Sequence, residues 1–289
     1  SKVIRGGGSI AFNALNISDS VSSTNSFSIA SDLSVAGTLA ATAGTVTFNG
    51  TSAVSGSPNL FNVTLNGTRL QLGSSAVLGI AGAFTLTTGT FDVTTTTPNT
   101  VNYNAAGAQT VAATTYDELR FSGGGTKTAG GAVVVNGDLN ISSGATFAAG
   151  SFTHSFYGHW INNGAFTAGS STVQLLGGSD SYIAGATTFN VLTLNKASAS
   201  GIVMLSNNVS VATINMTTGE VHTRSRVLTI TSTRTGNGII LGTITRTHAF
   251  TTGTAYAFES PVNTVNFASA ARDFSPPESN FTCCSTISP

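Results

Sequence analysis

Three stretches of this chain begin alike: Thr45-Val-Thr-Phe-Asn49, Thr100-Val-Asn-Tyr-Asn104 and Thr172-Val-Gln-Leu-Leu176. Each is followed, at offsets of 16, 16 and 17 residues, by an aromatic-led segment: Phe61-Asn-Val-Thr-Leu-Asn-Gly67, Tyr116-Asp-Glu-Leu-Arg-Phe-Ser-Gly123 and Phe189-Asn-Val-Leu-Thr-Leu-Asn195. A third block completes each unit: Ala81-Gly-Ala-Phe-Thr-Leu-Thr-Thr-Gly89, Asn136-Gly-Asp-Leu-Asn-Ile-Ser-Ser-Gly144 and Ala212-Thr-Ile-Asn-Met-Thr-Thr-Gly219. Ser34-Val-Ala-Gly-Thr-Leu39 reads as an incomplete earlier copy, and unit starts lie 55 and then 72 residues apart. Repeats of this kind cannot bury an apolar face one at a time, so the units must stack on one another.

Within the blocks the periodicity is two. Val63 and Leu65 alternate with Thr64 and Asn66, and Leu139 and Ile141 with Asn140 and Ser142, as in short half-buried strands. No stretch of 11 or more residues carries a helical period, so the expected class is all-β. Two architectures satisfy this pattern. One is a parallel β-solenoid of irregular repeats with an antiparallel β cap near the C-terminus; the other is a set of tandem β-sandwiches. Sandwich domains need about 100 residues each, more than either unit spacing. The Asn66-Gly67 pair is a hairpin signal, but the step between blocks is too long for tight hairpins throughout. The solenoid is therefore preferred. The longer second unit reads as carrying an insertion around Trp160-Ile-Asn-Asn-Gly164.

Composition agrees. The chain is rich in Thr, Ser, Val, Ala, Gly and Asn, and β-branched residues suit a pleated surface while Gly and Asn suit tight turns. Charged residues are 8% of the chain, with 11 basic against 11 acidic and a formal net charge of zero. Eight Arg and three Lys dispersed along the sequence give no basic stripe, so nucleic acid is not an expected partner. No apolar run reaches the 18 or so residues of a membrane span. The absence of net repulsion removes an ordinary barrier to self-association.

The ordered pattern T-V-x-F/Y-N, A-x-Q-T-V, F-N/Y-D-x-L-x-L and N-G-x-L-x-I-x-x-G, over roughly residues 31–250, resembles repeats of large bacterial surface and secreted adhesins. These are the filamentous-haemagglutinin-like and autotransporter-like β-solenoid proteins. Gly242-Thr-Ile-Thr-Arg-Thr-His248 resembles the segment that closes such arrays. The resemblance implies an extracellular, cell-surface location for a mature chain after signal removal, and a structural or adhesive role.

Candidate chemistry is sparse. Glu220, His222, Arg224 and Arg226 are spaced by two, which in a strand places all four on one face; this is the candidate polar ligand face, suited to an acidic sugar or to blunting a sheet edge. Cys283 and Cys284 are adjacent, a spacing for a strained disulfide, a crosslink to another chain or free thiols, and not for metal ligation. Glycoside hydrolysis needs two carboxyl groups flanking a groove; stacked coils could align distant acids, Asp117 over Asp138 for example, but the acids read first as solvated surface groups. His154 and His159 beside Phe156, Tyr157 and Trp160 read as a packed aromatic bulge. Thr-x-Thr pairs at Thr45/Thr47, Thr85/Thr87, Thr229/Thr231 and Thr245/Thr247 share no register of the repeat, which weighs against an ice-binding face. No catalytic residue, metal or cofactor is expected.

The organisation expected is an N-terminal arm and solenoid start over 1–30, repeats over 31–235, a β-strand cap over 236–269 and a tail over 270–289. The expected function is that of a non-catalytic extracellular structural protein, a subunit of a self-assembling surface filament or a fibre-forming adhesive. The expected partner is the chain itself, through terminal segments or strand edges, with surface carbohydrate second. A carbohydrate-binding or carbohydrate-active β-helix is the alternative.

Overall fold

Alternating apolar and small polar residues form short strands, and the strands of this chain find their partners about one coil away in sequence. The computed structural model describes residues 2–247 and 250–266, and the backbone of 281–284. Contacts divide the chain into two units, Ser1–Ala148 and Ala149–Pro289. Both are parallel β-solenoids, and no helix occurs among the described residues.

In the first unit a coil is three strands joined by corners. Ser20–Ser23, Phe27–Ile29 and Leu33–Val35 form one coil, and Thr38–Ala41, Thr45–Phe48 and Thr51–Gly56 lie on them in parallel. Phe27, Ile29, Leu33, Leu39, Val46, Phe48 and Val54 point inward and are buried. Each such side chain contributes about 1.5–3 kcal/mol on removal from water. Between them the outward positions stack as well: Ser28, Thr47, Thr64 and Thr85 form one file. Coiling already starts at Lys2–Ile4, which pairs with residues 21–23 inside the segment read as an arm.

The repeat has a simple physical meaning. Val46 pairs with Val63 and Val63 with Phe84; Val101 pairs with Leu119 and Leu119 with Leu139. In the second unit Val173 pairs with Leu192 and Leu192 with Ile214. The three blocks of a sequence unit thus occupy one register on three successive coils. Stacking takes place block on block, within each unit of the sequence.

The tandem-sandwich alternative and the hairpin at Asn66-Gly67 are both overturned. Asn66 and Gly67 lie inside the strand Asn62–Leu72, at a break in register where the chain turns from one face of the coil to the next. The insertion read around Trp160 is an ordinary strand: Trp160–Asn162 pairs in parallel with Ser181–Ala184. The excess of the second sequence unit over the first is the length of one more coil.

The second unit carries a column of inward residues, His154, Val173, Leu192, Ile214 and Arg234, on five successive coils. Its two ends are polar. His154 is fully buried with Nε2 2.9 Å from the Ala149 carbonyl, and burial lowers its pKa against the raising effect of that bond. Arg234 donates to the carbonyl oxygens of Gly236 at 2.6 Å, of Glu259 at 3.2 Å and of Gly238.

Arginines also tie down the C-terminal end. Ile239–Arg246 is still parallel to its neighbour Glu220–Gly236, so the parallel coils run on into the segment expected to be the cap. Residues 243–246 are then covered by the antiparallel backbone of Phe281–Cys284. Ala255–Ala257 and Thr264–Asn266 form a separate antiparallel pair. Arg246 donates to the carbonyls of Ala257 and Ser232, both at 2.7 Å, and lies over the rings of Tyr256 and Phe258. Antiparallel pairing near the C-terminus is thus present, as expected of a cap. The tail proper falls outside the described residues except for 281–284.

Candidate ligand face and groove

The strand Glu220–Gly236 sits between Ile202–Leu205 and Ile239–Arg246. Glu220 and His222 both point outward from it, and His222 Nε2 lies 2.7 Å from Glu220 Oε2. The alternation then breaks. Arg224 is in the left-handed region at φ 54°, and the register with the next coil shifts between His222 and Val227. Arg224 and Arg226 therefore do not continue the file that period-two spacing implies. Arg224 reaches back to the neighbouring coil, with Nη2 2.7 Å from Met204 Sδ. Arg226 is exposed beyond the corner. The four residues expected on one face resolve into a carboxylate–imidazole pair, an arginine folded over a methionine, and a separate exposed arginine.

Glu220 borders a groove of about 430 Å3 formed where three successive coils turn. The lining comes from residues 199–200, 217–220 and 237–239, and its polar groups belong to Ser200, Thr217, Thr218, Asn237 and Glu220. Ala199 and Ile239 are its apolar side chains, and Ile239 is 38% exposed. Backbone groups of the corners are paired between coils: Glu220 N donates to Gly201 O at 2.9 Å, Gly238 N to Met216 O at 2.9 Å and Ile239 N to Gly219 O at 3.3 Å. Gly219 has φ 104°, and a Cβ there would stand 2.7 Å from Lys196 Cγ, so the lysine stem closes the floor beneath a glycine. Lys196 is buried, donating to Leu176 O at 2.8 Å and Ser181 Oγ at 3.2 Å. Desolvation lowers its pKa, and Asp180 opposes the shift.

Sequence reasoning found Glu220 and missed the rest of the groove. A signal was present. Gly201-Ile202, Gly219-Glu220 and Gly238-Ile239 are a Gly-x pair recurring at nearly one coil length, and in-register pairing brings Ile202, Glu220 and Ile239 side by side.

The other candidate chemistry takes up positions inside the fold. Asp117 is buried and accepts from Asn99 N at 2.8 Å; burial raises its pKa and that bond opposes the rise. It lies against Gly137, whose N–H donates to its carbonyl at 2.7 Å, and not over Asp138. Glu118 accepts from Thr100 Oγ1 at 2.9 Å. Phe156, Trp160, Phe166 and Phe189 pack edge to face or tilted, with centroids 4.8–5.5 Å apart for Trp160–Phe166, Trp160–Phe189 and Phe166–Phe189 and 5.1 Å for Phe156–Trp160. His159 stacks on Tyr182 at 3.8 Å. The packed aromatic cluster is present, on regular coils and not on a bulge.

Cys283 and Cys284 place their backbone opposite Ile244 and Thr243; the expected disulfide or crosslink concerns side chains outside the described residues. Among the described residues, no group of three or more His, Cys, Asp or Glu is placed to hold a metal ion. No helix among the described residues is long and apolar enough to cross a membrane.

No family model, curated protein or solved structure matches this chain.

Proposed function

We propose that this chain is a non-catalytic structural protein of the cell surface, a subunit of self-assembling filaments or of a fibre-forming adhesive, with the extracellular setting implied by its adhesin-like repeats. The observation that carries the reading is the outer surface of the coils. In the second unit the outward positions flanking the buried column are Thr153 and Ser155, Thr172 and Gln174, Val191 and Thr193, Thr213 and Asn215, Thr233 and Thr235. None carries a charge, and neighbours bond along the stack. Ser155 Oγ donates to Gln174 Oε1 at 3.1 Å, Asn215 Nδ2 to Thr193 Oγ1 at 3.4 Å and Thr235 Oγ1 to Asn215 Oδ1 at 2.7 Å.

Inner and outer residues alike thus reinforce the stack, and equal numbers of basic and acidic residues leave no net repulsion between copies. Rigid, uncharged faces with a repeat near 4.8 Å suit lateral or end-to-end association of identical chains. Electron microscopy of the purified chain across a concentration series tests this. Uniform fibres whose formation changes little between low and high salt are expected. Particles that stay monodisperse at every concentration, together with turnover of a polysaccharide, would replace the structural reading with the carbohydrate-active one.

A further inference from the structure

We propose that the corner groove beside Glu220 binds a neutral sugar residue. Three properties of the groove point to this class of ligand. Its polar groups are two-way hydrogen-bonding groups, the hydroxyls of Ser200, Thr217 and Thr218 and the amide of Asn237, with the Glu220 carboxylate as a strong acceptor. They stand on corners whose backbone is fixed between coils, so little ordering accompanies binding. Ile239 offers an exposed apolar surface at the same place, suited to the C–H face of a pyranose ring. The volume, about 430 Å3, falls in the range of small-molecule sites.

Charge selects a neutral sugar over an acidic one. Among the described residues that line the groove, Glu220 is the one with an acidic or basic side chain. The two arginines that an acidic sugar would need are elsewhere: Arg224 is folded onto Met204, and Arg226 lies past the corner. An extended peptide is disfavoured because the N–H groups of Glu220, Gly238 and Ile239 already donate to neighbouring coils and leave no strand edge to extend. His222 holds the carboxylate from one side at 2.7 Å, leaving its remaining lone pairs to accept sugar hydroxyls.

The test is titration of the intact chain with cellohexaose and chitohexaose as neutral probes and polygalacturonate as the acidic one, followed by amide chemical shifts. At least one neutral oligosaccharide is expected to move resonances of residues 217–220 and 237–239. Glu220→Gln and Ile239→Ser are each expected to weaken that binding tenfold or more with thermal midpoints unchanged. Binding of neither neutral probe at millimolar concentration overturns the proposal. So does binding that stays within twofold in both variants, or binding of polygalacturonate alone. The site stands apart from the structural role: fibres from a chain that binds neither oligosaccharide remove the groove alone, and sugar binding without fibres removes the assembly alone.

Discussion

Gly44 offers a direct probe of how closely the coils approach. It sits at the corner before Thr45–Phe48 with φ 75°, and a Cβ there would stand 2.7 Å from both Asn25 C and Ser26 N of the coil below. Gly44→Ala therefore meets two penalties. A left-handed backbone costs an L-residue about 1–2 kcal/mol. The coils must also part locally, straining the bonds from Thr45 N to Ser26 Oγ at 3.0 Å and from Asn62 N to Gly44 O at 3.2 Å, each worth about 0.5–1.5 kcal/mol. The expected loss is about 2–5 kcal/mol.

Gly107→Ala is the control in the same unit. A Cβ there meets nothing within 4 Å and the residue has no positive φ, so the change should be neutral or stabilise by up to about 1 kcal/mol. Urea unfolding followed by circular dichroism measures both, and hydrogen exchange at the Thr45 and Asn62 amides localises the effect. Equal midpoints for the two variants would refute coil contact at this corner.

Three further outcomes follow from the buried Leu192 and Lys127 and the half-buried Asp92. Leu192→Ala empties a fully enclosed position between Val173 and Ile214 and should cost about 2–5 kcal/mol by denaturation, whereas Thr193→Val, on the outer face, should stay within about 1 kcal/mol. Lys127 is buried and donates to Ala105 O at 2.7 Å and Gly107 O at 3.2 Å, and desolvation lowers its pKa below the ordinary 10.5. The unfolded chain then holds the proton to higher pH than the folded one, so stability should rise as pH climbs from the folded value toward 10.5. Urea midpoints should show that gain relative to Lys127→Met. Burial alone would raise the Asp92 pKa, but hydrogen bonds from Thr95, Thr94 and Arg69 bring it down to about 2 from 3.8. Its stabilisation, about 1 kcal/mol after allowing for solvent screening, should be present above pH 3.8 and lost as pH falls toward 2, with Asp92→Asn abolishing that acid dependence.

Much of this fold was legible because stacking repeats the same demand at each coil. Val46, Val63 and Phe84 are apolar for one reason, and their spacing betrayed the repeat. What sequence could not show was the order of stacking: a block that recurs after 55 residues looks like the unit of packing, yet hydrogen bonds form one coil away. The polar interior was also hidden. Lys127 follows the same alternation as its partners Gln109 and Phe147, and only the Ala105–Gly107 carbonyls make a cation tolerable there. Glu220 and His222 were found from spacing because they lie on a true strand. Arg224 and Arg226 were misplaced because one left-handed residue turns the chain. The groove needed three coils in register, which no single stretch of sequence displays.

The parallel one-coil register is most directly measured by disulfide trapping. In a background with Cys283 and Cys284 replaced by Ser, Thr47→Cys paired with Thr64→Cys joins residues facing outward in register on adjacent coils. Neighbouring strands stand about 4.8 Å apart, inside disulfide range. Thr47→Cys with Leu65→Cys differs by one residue and puts the second thiol in the core. Rapid intrachain oxidation of the first pair and not the second is the predicted result. Oxidation of the second pair, or of neither, would contradict the stacked solenoid.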